Sequence, residues 1–201
     1  RAVSGVISLG GDVPPELEAM LRAQVAQKPV PSRPGPASVP EAVTGDLDSA
    51  ETVDTVEDEW NGDSAIVGIQ YSYLPSWIST LVDVDKAKDA GTALFEAVHA
   101  KWETLPAGSR PKLIAYGLSL GSFSMQSPFP SAEALATRTQ GAVFVGSPNF
   151  SQPWGQISLE RETGSPQWKP VYQGGAIVRF AGTPADLASP AGPWGQPRVA
   201  Y

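Results

Sequence analysis

Five residues near the middle of the chain, Gly117-Leu118-Ser119-Leu120-Gly121, have the types and spacing for acyl chemistry. They fit G-x-S-x-G, in which the serine stands on a sharp strand-to-helix turn with its hydroxyl projecting from the edge of a sheet. The two glycines let strand and helix approach each other around the strained serine. In such a turn Ser119 is the candidate nucleophile. The backbone amide of Leu120, at the start of the following helix, would donate to the oxyanion formed when a carbonyl is attacked. Ser122 and Ser124 keep the next turn small.

Other residues that could do chemistry are fewer. Ser109-Arg110-Pro111-Lys112 fits S-x-x-K, but Pro111 breaks the helix that a Ser–Lys pair requires. His99, the one histidine, precedes the serine, lies in mid-helix beside Phe95 and near Trp102, and reads as a boundary residue. The chain order expected around this kind of elbow is Ser, then Asp or Glu, then His, and no histidine follows Ser119. Asp186, the one aspartate after the elbow, lies in the Pro/Gly/Ala-rich loop "GTPADLA" and reads as structural. The absence of cysteine excludes disulfides, zinc–thiolate sites and a cysteine nucleophile. A multi-histidine metal site is excluded as well, and no cofactor or metal is expected.

The net charge of −7 is concentrated in one place. Asp46, Asp48, Glu51, Asp54, Glu57, Asp58 and Glu59 follow one another without a basic residue, and outside them acidic and basic groups balance. No Lys/Arg stripe is present that could neutralise phosphates, so nucleic acid is not an expected partner. The apolar runs are strand-sized, far below the roughly 18 residues of a membrane span, and no signal peptide opens the chain. These residues are expected to be soluble. The first residue is Arg1 rather than Met, which suggests a piece of a longer reading frame.

The elements that must position the serine read as follows. Residues 1–45 read as an irregular, Pro-rich segment, with a short helix in "PPELEAMLRAQVAQK" and five prolines between Pro29 and Pro40. Val53, Val56 and Trp60 have helical spacing within the acidic run, whose charges read as a solvated face. "AIVGIQYSY" reads as a buried strand, and Asp83 as the cap of a helix running to about Leu105 with Ala87, Gly91, Leu94, Val98 and Trp102 on one stripe. "KLIAY" is the strand that feeds the elbow. A short helix stopped by Pro128 and Pro130, another capped at Ser131, the strand "GAVFVG" and a last strand beginning at "RVAY" complete the pattern. Strands alternating with helices predict an α/β domain over 46–201, a mostly parallel sheet with helices on both faces. Ending at its fourth strand, such a sheet would leave an unpaired edge.

"AIVGIQYSYLPSWISTLVD", "AGTALFEAVHAKW", "RPKLIAYGLSLGS", "GAVFVGSPNF", "GSPQWKPVY" and "VRFAGTPADL" occur in this order. On these blocks the chain resembles, over about residues 60–201, the catalytic domain of an actinobacterial family of membrane-linked α/β-hydrolases. The resemblance implies that Ser119 is the nucleophile of an α/β-hydrolase fold truncated at its C-terminus. It further implies that a transmembrane portion lies upstream, and that an aspartate and then a histidine lie beyond Tyr201. Position 118 is Leu where the family often carries a charged residue, a difference that would tune the site.

The second oxyanion donor is left between the Thr44-Gly45 region and the loop after the first clear strand, at Ser72 or Tyr73. "YSYLPSW" and "SPNFSQPW" follow the C-terminal ends of predicted parallel strands, where open α/β sheets place ligand crevices. Tyr71, Tyr73, Trp77, Phe150 and Trp154 are therefore candidates to line an apolar acyl pocket, against the alternative that they pack under loops. Asn149-Phe150-Ser151 also fits a glycosylation sequon. The expected activity is that of a serine hydrolase, esterase- or lipase-like, on a small or lipid-like acyl substrate, incomplete in this chain. An acyltransferase, or a non-catalytic binding module on the same fold, are the alternatives.

Overall fold

A computed structural model describes residues 2–10, 64–72 and 84–201. Its strands are β1 (Ala2–Gly10), β2 (Ser64–Ser72), β3 (Lys112–Leu118), β4 (Gly141–Val145), β5 (Val178–Arg179) and β6 (Arg198–Ala200). Its α-helices are α1 (Val84–Glu103), α2 (Leu120–Gln126), α3 (Ala132–Arg138) and α4 (Trp154–Leu159). The strands form one sheet in the order β2-β1-β3-β4-β6-β5. β3, β4, β6 and β5 are mutually parallel, whereas β1 runs antiparallel to both β2 and β3. β2 therefore points the same way as the parallel set.

Helix α1 forms because its apolar residues share one stripe. Ala87, Gly91, Leu94, Phe95 and Val98 are buried, with Asp85 in the first turn and Lys101 in the last, each matched to the helix dipole. Trp102 closes the helix onto the sheet, its indole N–H donating to the Pro111 carbonyl at 2.7 Å. α3 starts at Ser131, whose Oγ accepts the Ala134 N–H at 3.1 Å, the N-cap expected for that serine. The expected cap at Asp83 lies outside the described residues.

Among the described residues, burial in β3, β4 and β6 alternates between the two faces. Leu113 and Ala115 of β3, Ala142 and Phe144 of β4 and Val199 of β6 join Leu94, Phe95, Val98, Met125, Phe129, Leu135 and Ile157 in one core. Each large side chain buried there contributes roughly 2–3 kcal/mol. Val143 and Val145, on the other face of β4, remain 40% and 43% exposed.

Two expectations are corrected. The segment read as irregular contains β1, which pairs with β2 and β3. Its register shifts between Ala2 and Val6, around Ser4-Gly5, and this break in the alternation of Val3, Val6, Ile7 and Leu9 hid the strand. Nor is β6 an unpaired edge, since β5 pairs with it through Val178↔Val199 and Arg179↔Ala200. Two residues are too short a run to read as a strand. Pro14–Lys28, the Pro-rich stretch and the acidic run lie outside the described residues. Among the described residues no helix is long and apolar enough to cross a membrane.

Candidate active site

Ser119 occupies the tip of the turn between β3 and α2 with φ 51° and ψ −120°, a left-handed backbone for a residue that carries a Cβ. That conformation costs of order 1–3 kcal/mol and persists only where surrounding structure imposes it. Here the imposing contacts are identifiable. The Ser119 N–H donates to the Val145 carbonyl of β4 at 2.8 Å, and its own carbonyl accepts the Phe123 N–H at 3.1 Å. Although Ser119 is the N-cap of α2, its side chain makes no capping hydrogen bond, and the residue is exposed. A serine serving only as a cap would use its oxygen on the helix amides.

The flanking glycines are structural requirements. A Cβ on Gly117 would lie 2.5 Å from the Gly121 carbonyl oxygen and 2.6 Å from Ser122 Cα, so strand and helix touch backbone to backbone. On the other side of α2, a Cβ on Gly91 would lie 2.1 Å from the Ser124 carbonyl oxygen. Ser124 Oγ donates to the Ala87 carbonyl at 2.5 Å. The elbow helix is thus clamped between β3 and α1.

Below the elbow runs a polar chain that nothing in the sequence marked. The Ser122 and Ser147 hydroxyls stand 2.5 Å apart. Gln126, fully buried, donates through Nε2 to Ser122 Oγ at 2.9 Å and to Ser147 Oγ at 3.0 Å. Its Oε1 accepts the Tyr201 hydroxyl at 2.8 Å. Burial pushes the Tyr201 hydroxyl well above its ordinary pKa of 10.0, so it remains a donor. This chain ties α2, the loop after β4 and the end of β6 together. A Gln two residues before Pro128 carries no sequence signal of that role.

The remaining candidates fall as follows. Leu120 opens α2 with its side chain buried against Ala87 and Phe123, and its amide is among the first-turn donors that lack an intrahelical acceptor. Ser72 ends β2 at the same end of the sheet as Ser119, with β1 between their strands. Tyr73 and Trp77 lie outside the described residues, as do Thr44 and Gly45; the side chain of Tyr71 does too. Phe150 is 47% exposed and packs edge-on against Phe123 of α2, ring centroids 5.2 Å apart. Trp154 lines a cleft of about 330 Å³ with Phe144, Gly146, Ser147, Trp168 and Tyr201, at the C-terminal ends of β4 and β6.

His99 is held between the rings of Phe95 and Trp102, with Glu103 at 3.7 Å. It lies eight residues along α1 beyond Gly91, where α1 touches Ser124 of α2, and so roughly 12 Å away along the helix axis. Asp186 is consumed locally. Its Oδ2 accepts from the Gly182 N–H, the Thr183 N–H and the Thr183 hydroxyl at 3.1, 2.8 and 2.9 Å, and its Oδ1 pairs with Lys169. The Lys169 hydrogen bond first, and Thr183 second, lower its pKa from 3.8 to about 2. Ser151 of the sequon is fully buried. Among the described residues no cluster of three or more His, Asp or Glu side chains could hold a metal ion.

The chain has been compared with known proteins as well. No curated protein and no solved structure matches it. A model of the alpha/beta-hydrolase family does match, over residues 39–201, which is most of the chain and includes the elbow, and by that match the protein belongs to this α/β-hydrolase family.

Proposed function

We propose that this chain carries the nucleophile half of a serine hydrolase acting on an ester or similar acyl bond. The observation that carries the reading is Ser119 itself: an exposed serine at φ 51°, on a strand–helix turn, whose hydroxyl caps nothing. In this reading Ser119 Oγ attacks the carbonyl carbon, and the leaving alcohol departs as the tetrahedral intermediate collapses to an acyl-enzyme. The Leu120 amide donates to the oxyanion, and a second donor would come from Ser72 or Tyr73, or from the Thr44-Gly45 region. Because no histidine follows Ser119 and His99 is distant, the acid and base that activate the serine would come from outside residues 1–201. Attachment to a membrane, if the full-length protein has it, would likewise reside in other segments. An acyltransferase would use the same residues with an alcohol replacing water in the second step.

The test is fluorophosphonate labelling of the full-length protein. Labelling lost on Ser119→Ala supports the reading, and labelling that survives it removes Ser119 from the role. The lack of a nearby base favours one rival, a non-catalytic module that keeps the fold as a binding surface. That rival predicts no labelling of the full-length protein under any condition.

A further inference from the structure

Two hydrogen bonds hold Ser119 in its strained turn, and they come from different elements. Its N–H donates to Val145 at the end of β4, and its carbonyl accepts the Phe123 N–H within α2. The direction of the hydroxyl is therefore set by how α2 sits against the end of β4. Neither element is stiff there by itself. α2 has seven residues, too few for a helix to be stable on its own propensity. β4 leaves its ladder with β3 at the Leu118↔Val145 pair, and Gly146 follows in a left-handed conformation.

Gln126 closes this gap. It lies one helical turn after Ser122, on the same face of α2, and its side chain is fully buried. Its Nε2 stands 3.1 Å from the Ser122 carbonyl oxygen, 2.9 Å from Ser122 Oγ and 3.0 Å from Ser147 Oγ. A carbonyl can only accept, which fixes the amide with its nitrogen on this side. Ser122 is fully buried too, and the acceptor the structure gives its hydroxyl is Ser147 Oγ at 2.5 Å. Gln126, Ser122 and Ser147 thus form a closed triangle. Ser122 immediately precedes Phe123, and Ser147 is two residues past Val145, so the triangle joins the neighbours of both groups that grip Ser119.

Building on the hydrolase reading, we propose that Gln126 is a positioning residue for the nucleophile. Through Ser122 and Ser147 it fixes α2 against the end of β4, and so aims the Ser119 hydroxyl without bonding to it.

The test is fluorophosphonate labelling of the full-length protein where circular dichroism shows each variant folded, with the maximal labelling rate separated from the half-saturating concentration. Gln126→Met keeps the bulk of the side chain and removes its donors. It should lower the maximal rate by about tenfold or more, since a misplacement near 1 Å can cost roughly a hundredfold, and leave the half-saturating concentration within about twofold. Ser147→Ala keeps the contacts between Gln126 and Ser122, so it is the gentler variant, with a smaller loss of the same kind; it decides alone if Gln126→Met does not fold. Combining the two should cost little more than Gln126→Met, because both break one triangle. Leu135→Ala, at a fully buried position of α3 outside the triangle, weakens the fold and should label at the parent's rate. If Ser119 is labelled equally fast in the parent, Gln126→Met and Ser147→Ala, the positioning role is overturned while the hydrolase reading stands. If Ser119 is not labelled even in the parent, the hydrolase reading falls and amide hydrogen exchange decides. Exchange at Ser119 that quickens in Gln126→Met beyond its loss of global stability would keep Gln126 as the group that holds the turn, and exchange that does not would overturn that as well.

Discussion

Replacing Gly117 by alanine puts a methyl carbon 2.5 Å from the Gly121 carbonyl oxygen and 2.6 Å from Ser122 Cα, where real contacts essentially never fall below 3.0 Å. Both neighbours are backbone atoms, so no side chain can swing aside, and α2 must move away from β3 by about half an ångström or more. It has no room to do so. The Gly91 backbone presses on Ser124 from the far side, and Ser124 Oγ is bonded to Ala87. Overpacking of this kind costs typically 1–3 kcal/mol, and the two-sided clamp argues for the upper end, about 3 kcal/mol. Gly108→Ala is the matched control, because its new methyl meets nothing within 4 Å on an exposed turn. It should change stability by less than about 0.5 kcal/mol. Urea unfolding of the two variants and the parent, followed by tryptophan fluorescence, gives the comparison directly. Fluorophosphonate labelling then asks whether Ser119 has moved with the helix. A Gly117→Ala protein as stable as Gly108→Ala would show that strand and helix do not meet there as described, and the steric account of the elbow would be wrong.

Three further predictions follow from the same geometry. Ser119→Gly should be about 1 kcal/mol more stable than Ser119→Ala by thermal or urea unfolding, because alanine keeps the Cβ that φ 51° penalises; the opposite order would mean that the turn is unstrained. Arg179, 3% exposed, donates to the carbonyls of Gly175, Leu187 and Gly192 at 3.0, 2.6 and 3.0 Å, so Arg179→Met should cost about 2–3 kcal/mol. Arg179→Lys should restore only part of that, since one ammonium cannot span the fork, and full rescue would contradict the geometry. The folded pKa of Asp186 is depressed, so its contribution is complete above the ordinary 3.8 and is lost as pH falls through about 2. The stability difference between the parent and Asp186→Asn should therefore shrink over that interval, whereas a difference that stays constant with pH would exclude the ion pair with Lys169 as its source.

How much was legible depended on how far along the chain each cause acts. The elbow could be read because five consecutive residues specify it, and the Ser131 cap because its acceptor and donor are three residues apart. β1 could not. Its partners lie more than fifty and a hundred residues away, and Gly5 interrupts the pattern that would have announced it. β4 reads as an uninterrupted apolar run, yet among the described residues its alternate positions differ, Ala142 and Phe144 being buried and Val143 and Val145 partly exposed. Among the aromatic candidates, Trp154 and Phe150 stand four residues apart in one loop-and-helix segment and still face different surroundings, a cleft for one and the Phe123 ring for the other.

The sequence by itself determined the strand–turn–helix at Ser119, the positions of α1, α2 and α3, and the exclusion of thiol and multi-histidine chemistry. These rest on steric and hydrogen-bonding preferences that act within a few residues. Tertiary structure alone decided that β1 lies between β2 and β3, that β5 pairs with β6, that Gln126 joins Tyr201 to Ser147, and that Trp168 borders a cleft at the C-terminal ends of β4 and β6. Each of those brings distant segments together, and what selects among such pairings is the burial of apolar surface against chain entropy over the whole domain, a balance that no local stretch encodes.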